Sequence, residues 1–246
     1  MGKLKKKSDH AGDNTIIKNG KNFSALLTNA NLRGLLNEVV LTVKNGVGEI
    51  QAIDMTSSVF LSCTEDLGIT EDLTIGLNNL PGLIKFFENS EEVQYRFEDD
   101  WIILKKHKAQ LKCILSPPES VPTSITEKLK FSDLKKQCSN SIDFTKKMYD
   151  EFTYYSSIVS PTSIFIVSEK KKTMLHSNEY DEQQFKLFLG KAETDETCKT
   201  EILTEHFLKI LGILDWSEKV TMFFGTDVPT VIKQKENFWS LVPLKS

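Results

Sequence analysis

Two stretches of this chain carry the same apolar pattern 127 positions apart, and that repetition restricts the fold more than any single motif. Leu80, Leu83, Ile84, Phe86 and Phe87 recur as Phe207, Ile210, Leu211, Ile213 and Leu214, and Val93, Tyr95 and Phe97 recur as Val220, Met222 and Phe224. The first set has the spacing of a helix face, the second the alternation of a half-buried strand. One register that carries a helix and the strand after it in both halves predicts a duplicated unit. Asn22-Phe23-Ser24-Ala25-Leu26 is echoed in the same sense by Lys130-Phe131-Ser132-Asp133-Leu134. Between the halves, the run from Ser116 to Pro122 holds three prolines, which neither a helix interior nor a sheet ladder accepts. The expected division is a basic tail over 1–14, a first domain over 15–116, a connector over 117–125 and a second domain over 126–246.

Within the first half the pattern predicts a short strand at Thr15, a turn at Asn19-Gly20 and a helix reaching Leu35 with Phe23, Leu26 and Leu27 inward. Strands follow over about 38–44, 48–54 and 58–64, the first two joined by the turn chemistry of Asn45-Gly46. A strand from Thr74 to Leu77, a helix from Leu80 to Glu88 with Pro81 in its first turn, and three further strands complete the half. In the second half Leu134, Cys138, Ile142, Met148 and Phe152 fit an extended helix over Ser132–Ser157, broken near Ser139-Asn140-Ser141. Helix, strands, helix, strands in each half is an α+β pattern, with helices gathered on one face of antiparallel sheet.

A net charge of −3 argues against a protein that coats nucleic acid by bulk charge, so any such contact must use a local basic surface. Cys63, Cys113, Cys138 and Cys198 stand far apart without a C-x-x-C pair and read as reduced, mostly buried thiols. No apolar run reaches the roughly 18 residues of a membrane span, and Met1 to Lys7 lacks a secretory hydrophobic region; an intracellular protein is expected. Gly190-Lys191 is followed by Ala192, so no phosphate-cradling loop is present. His10, His107, His176 and His206 show no zinc spacing. Asp99-Asp100 is the best carboxylate pair for a magnesium-dependent nuclease, but it sits between alternating strands as a hairpin turn does. No catalytic residue, metal site or cofactor is assigned.

Gln51-Ala52-Ile53-Asp54, followed by Val59-x-Leu61, resembles a hairpin of the DNA polymerase sliding clamps of PCNA type. Thr226-Asp227-Val228-Pro229 and the terminal Val242-Pro243-Leu244-Lys245 resemble two further motifs of that family at family-like positions. The resemblance spans roughly Thr15 to Lys245 and is specific only in these regions. It implies two clamp domains per subunit, a homotrimer closed head to tail into a ring of six domains, helices lining the bore and sheets outside. A checkpoint-type subunit of a hetero-ring is the alternative within that class, and the nuclease the alternative outside it.

The ring implies double-stranded DNA held without sequence preference by basic residues on the helices. Candidates are Lys21, Arg33, Lys85, Lys135, Lys136, Lys146 and Lys209, with Lys147 beside them. Lys135 and Lys146 return to nearly one face if their helix is continuous. Ser24 and Ala25 stand where those clamps carry paired lysines. Partners implied are a DNA polymerase and a clamp-loader ATPase, with no membrane. A partner peptide's apolar anchors would enter a pocket of Val121, Ile125, Val228, Pro229, Pro243 and Leu244. Edge strands bearing Ala109, Leu111 and Cys113 on one side and Phe185 and Leu187 on the other would join subunits. The basic tail and long third helix suggest a divergent clamp of a virus or a T-even-like phage.

Overall fold

Each half builds from strands whose apolar side chains alternate, so that each strand buries one face of a shared sheet. The computed structural model describes residues 15–125, 128–177, 182–192 and 194–244; the expected tail over 1–14 lies outside them. The first half runs β1 (Thr15–Ile17), α1 (Gly20–Asn31), β2 (Val39–Lys44), β3 (Val47–Ile53), β4 (Val59–Asp66) and β5 (Leu73–Leu77). It continues with α2 (Leu80–Phe87), β6 (Val93–Glu98), β7 (Trp101–Lys106) and β8 (Ala109–Ser116). A 3-10 turn (Pro118–Ser120) and α3 (Phe131–Lys135) follow. The second half is β9 (Asn140–Phe144), α4 (Lys146–Val159), β10 (Ser163–Glu169), β11 (Lys172–Ser177), β12 (Lys186–Lys191) and β13 (Cys198–Leu203). It ends with α5 (Thr204–Leu211), β14 (Val220–Phe224), β15 (Thr230–Gln234) and β16 (Asn237–Leu241).

The two strings are the same, βαββββαβββ, so the duplicated α+β unit is present. The 127-residue register holds for β6 and β14, which start at Val93 and Val220, whereas α5 begins about one turn ahead of the position that register gives it. The echo between Asn22–Leu26 and Lys130–Leu134 does not pair equivalent helices. The counterpart of α1 is α4, and Phe131–Leu134 belongs to the short α3 outside the repeat.

The extended helix expected over Ser132–Ser157 is corrected to helix, strand, helix. Asn140–Phe144 pairs antiparallel with β14, Phe144 opposite Val220 and Ile142 opposite Met222. A sheet edge in need of a partner overrode a helix-compatible spacing. Thr145 then starts α4 by accepting a hydrogen bond from the Met148 amide at 3.3 Å.

Pairing gives a 12-stranded sheet in the order β1-β6-β7-β8-β5-β2-β3-β4-β16-β15-β14-β9 and a 4-stranded sheet in the order β12-β11-β10-β13. The β2–β3 turn takes Asn45 and Gly46 at positive φ (50° and 85°), the conformation that the Asn-Gly pair permits cheaply. Gly76 marks where β5 meets β8: a Cβ there would lie 2.4 Å from the Ser116 carbonyl oxygen and 2.9 Å from the Val121 side chain.

The halves join through β4 and β16, Leu61 opposite Trp239 and Ser62 opposite Phe238. The Trp239 indole N–H donates to the Asn29 carbonyl at 3.2 Å, and Arg33 donates to the Gly212 carbonyl at 2.7 Å. The main core lies against the inner faces of the strands, where α1, α2, α4 and α5 pack. It includes Phe23, Leu27, Phe87, Phe152, Phe207, Ile210 and Trp239. On the opposite sheet face a smaller cluster of Phe60, Leu134, Val231 and Phe238 lies beneath α3.

Candidate nucleic-acid and partner interface

Most cations on the four inner helices already have a carboxylate nearby. Lys21 of α1 is 3.4 Å from Glu91, Lys147 of α4 is 3.8 Å from Glu151 and Lys209 of α5 is 2.8 Å from Glu205. Lys146 is paired with Asp150 one turn along α4. Both α4 pairs place the basic residue N-terminal to the acidic one, the weaker of the two orders on a helix. Exposed pairs of this kind contribute little and are broken readily by a competing phosphate. Lys85 of α2 is exposed and has no ion-pair partner among the described residues. Arg33 lies just past α1 at positive φ (53°), its guanidinium already engaged by the Gly212 carbonyl. Ser24 turns its hydroxyl to the Ile84 carbonyl at 3.3 Å, and Ala25 is exposed.

Lys135 and Lys136 are not part of this set. Lys135 ends α3 and Lys136 is its C-cap, on the sheet face opposite α1, α2, α4 and α5, because Phe131 and Leu134 pack on the outer side chains Phe223, Val231 and Phe238. Lys135 lies over the Phe223 ring at 5.3 Å and Lys136 pairs with Asp133 at 3.4 Å. A shared helix face with Lys146 is therefore replaced by opposite sides of a sheet.

Of the expected pocket residues, Ile125 packs against the outer cluster and Pro229 offers its carbonyl to the Cys138 thiol at 3.6 Å. Val228, Pro243 and Leu244 are half-buried, and the Leu244 amide donates to the Glu201 carbonyl at 2.8 Å. Lys245 lies outside the described residues. Val121 is buried, facing Gly76 at the end of β5. Ile125 also lines a cavity of about 310 Å³, together with Val40, Gln51, Pro118 and Lys128 among others.

The residues expected at a subunit interface lie on or beside two strands with unpaired backbone among the described residues. The outward edge of β8 is paired with β5 only at Leu115 and Ser116, so Ala109, Leu111 and Cys113 lie along backbone with no strand partner on that side among the described residues. Among the described residues strand β12 is paired with β11 alone; Phe185, just before it, and Leu187 turn inward and are buried. The Phe185 ring stacks on Tyr155 of α4 at 6.1 Å, and Tyr154, Ile158 and Phe188 are exposed nearby in sequence on the same elements.

Asp54, the last residue of the Gln51–Asp54 motif, has a structural role that its place in the motif does not announce. Its buried carboxylate accepts from the amides of Thr56 (3.0 Å), Ser58 (2.7 Å) and Val59 (2.5 Å), closing the β3–β4 turn. Burial alone would raise its pKa; the hydrogen bonds from the Thr56 side chain and from the Val59, Thr56 and Ser58 amides outweigh it and hold the group below the ordinary carboxylate value. Ser58 also meets His206 Nδ1 of α5 at 3.0 Å, which ties this turn to the other half. An aspartate before a small polar run was the available signal for a turn lock.

Asp99 and Asp100 form the β6–β7 turn, Asp99 at positive φ (50°), both exposed. No group of three or more His, Cys, Asp or Glu suited to a metal occurs among the described residues. No helix there is long and apolar enough to cross a membrane. Burial raises the Cys63, Cys113 and Cys138 thiols, Cys138 to about 11.

No protein-family model matches this sequence, and no curated protein matches it either. Solved structures do. PCNA from Thermococcus kodakaraensis matches with a TM-score of 0.72 at 15% identity, over 94% of this chain and 99% of that one. The A. fulgidus PCNA solved with the C-terminal region of FEN-1 matches at 0.72 and 12% identity, over 95% and 98%. The DNA polymerase III beta chain from Streptococcus pneumoniae matches at 0.74 and 14% identity, over 100% of this chain and 67% of that one. The duplicated βαββββαβββ unit, with its four inner helices and its sheet running across both halves, is the sliding-clamp fold.

Proposed function

We propose that this chain is a DNA sliding clamp, a non-catalytic processivity factor whose copies close head to tail around duplex DNA and tether a polymerase. The observation that carries the reading is the way the two halves already join. Within the chain, β4 of the first half pairs with β16 of the second. By the internal repeat, the second-half equivalent of β4 is β12 and the first-half equivalent of β16 is β8, and among the described residues each of these has backbone open to a further strand. The same contact made between chains joins β12 of one copy to β8 of the next, a heterologous interface that closes into a ring.

The repeat also sets the register. The β7–β8 turn pairs Lys106 with Ala109 as the β15–β16 turn pairs Gln234 with Asn237, which makes Leu111 equivalent to Trp239. Ser177 and Phe185 exchange hydrogen bonds where Ala52 faces Leu61, which makes Phe185 equivalent to Leu61. Trp239 opposite Leu61 within the chain thus becomes Leu111 opposite Phe185 between chains. Tyr155 beside Phe185 then occupies the place that Asn29 holds over Trp239.

In such a ring the inner helices face the bore, and Lys21, Lys85, Lys146, Lys147 and Lys209, with Arg33, supply weak contacts to phosphates. Holding is topological, so the net charge of −3 is no obstacle, and the tethered polymerase meets the primer end at high effective concentration. A clamp-loader ATPase would open the ring. The test is retention on DNA of different topology: the chain, assembled at high concentration on nicked circular duplex, should elute with the circle and be lost when it is cut to a linear form. Equal retention on both would rule out encirclement.

A further inference from the structure

The outer sheet face carries an apolar groove that the chain fills with its own α3. Phe60, Val231 and Phe238 form its floor, Phe223 one wall, and Ile125 reaches it from the connector. Phe131 and Leu134, three residues apart on one helical turn, close it. The Phe131 ring stands 5.3 Å from Phe223 and 5.8 Å from Phe238, and Leu134 is 7% exposed. Cys138 ends the segment, its thiol 3.6 Å from the carbonyls of both Leu134 and Pro229.

The seating is light. A helix of 5 residues is far below the roughly 12–15 that hold alone in water, and α3 has no side-chain cap at its N-terminus. Ser132, Asp133, Lys135, Lys136 and Gln137 are exposed or nearly so, which leaves two apolar anchors and the Lys233 ammonium, over the Phe131 ring at 4.4 Å, to do most of the holding. The main core is closed on the other sheet face by α1, α2, α4 and α5 and does not depend on α3. Undocking is thus a local opening that leaves the fold intact.

We propose that α3 is a displaceable occupant of this groove, and that a partner's peptide presenting an aromatic and an aliphatic side chain three residues apart on one helical turn binds here by exchanging with it. Only the partner rests on the clamp reading; the intramolecular docking stands without it. A tether this short holds α3 at an effective concentration on the order of millimolar, so an external peptide competes at a disadvantage until its own affinity overcomes it.

The probe is a labelled synthetic peptide with this chain's residues 128–138, Cys138 replaced by Ser, titrated into the millimolar range against the full chain and against its Phe131→Ser, Leu134→Ser variant. The variant should bind it at least tenfold more tightly than the unaltered chain, and a peptide with the same two replacements should bind neither. Equal binding by both proteins, or none by a folded variant, overturns the proposal. Should the variant fail to fold, the unaltered groove is read in a Cys113→Ser background through Cys138, whose thiol reacts slowly while α3 is seated. Excess probe peptide should speed Cys138 modification several-fold, and an unchanged rate overturns the exchange. The C-terminal FEN-1 peptide, added as competitor, should displace the probe from the variant. Failure to displace it would refute the partner half of the proposal while leaving α3 docking in place.

Discussion

At the residue scale, Asp54 shows how a motif that marks a family can be there for the turn it builds. Its carboxylate gathers three amides and bridges, through Ser58, to His206 of the other half. Asp54→Asn puts an amide N–H where an acceptor is needed, and should cost about 2 kcal/mol of stability in urea denaturation at neutral pH. Because the folded pKa is depressed, this stabilisation is present above the unfolded carboxylate value of about 3.9 and is lost as pH falls through the lower folded one. The difference between the two proteins should therefore shrink below about pH 4; a difference independent of pH down to full acid unfolding would show that the charge on Asp54 is not what holds the turn.

At the scale of elements, the first half was legible nearly strand by strand, because its apolar residues alternate cleanly and Asn45-Gly46 and Pro81 punctuate it. The stretch from 128 to 159 was not. Leu134, Cys138, Ile142, Met148 and Phe152 fit one helix in sequence, but Leu134 belongs to the outer cluster and Ile142 to a strand completing the sheet. Local periodicity cannot say on which side of a sheet a residue lies, and β9 finds its partner far along the chain, where Ile142 faces Met222. The Thr145 cap was the one local sign that a helix begins at Lys146. The correction changes what the lysines should do. Lys85→Ala should weaken retention on circular DNA and flatten its salt dependence by about 0.9 for each phosphate no longer neutralised. Lys136→Ala, on the outer face, should leave both unchanged. Equal losses for the two variants would contradict the assignment of the DNA contacts to the inner helices alone.

At the scale of the whole molecule, the proposed interface between copies is built by repetition of the β4–β16 pairing inside one copy, and it uses the unpaired backbone of β8 and β12. Of the residues expected in a partner pocket, Ile125 packs on the outer cluster and Pro229 meets Cys138 beside it, whereas the segment that fills the groove has the apolar spacing of an inner helix. The measurement that bears most directly on the proposed ring is solution mass by light scattering over a concentration series, for the unaltered chain and for Leu111→Lys, which in that ring would bury a charge against Phe185 of the next copy. The expected result is a species of three times the 28.0 kDa chain for the former and of one chain for the latter. A mass of one chain for the unaltered protein at every concentration, or a trimer indifferent to Leu111→Lys, would contradict the β8–β12 closure.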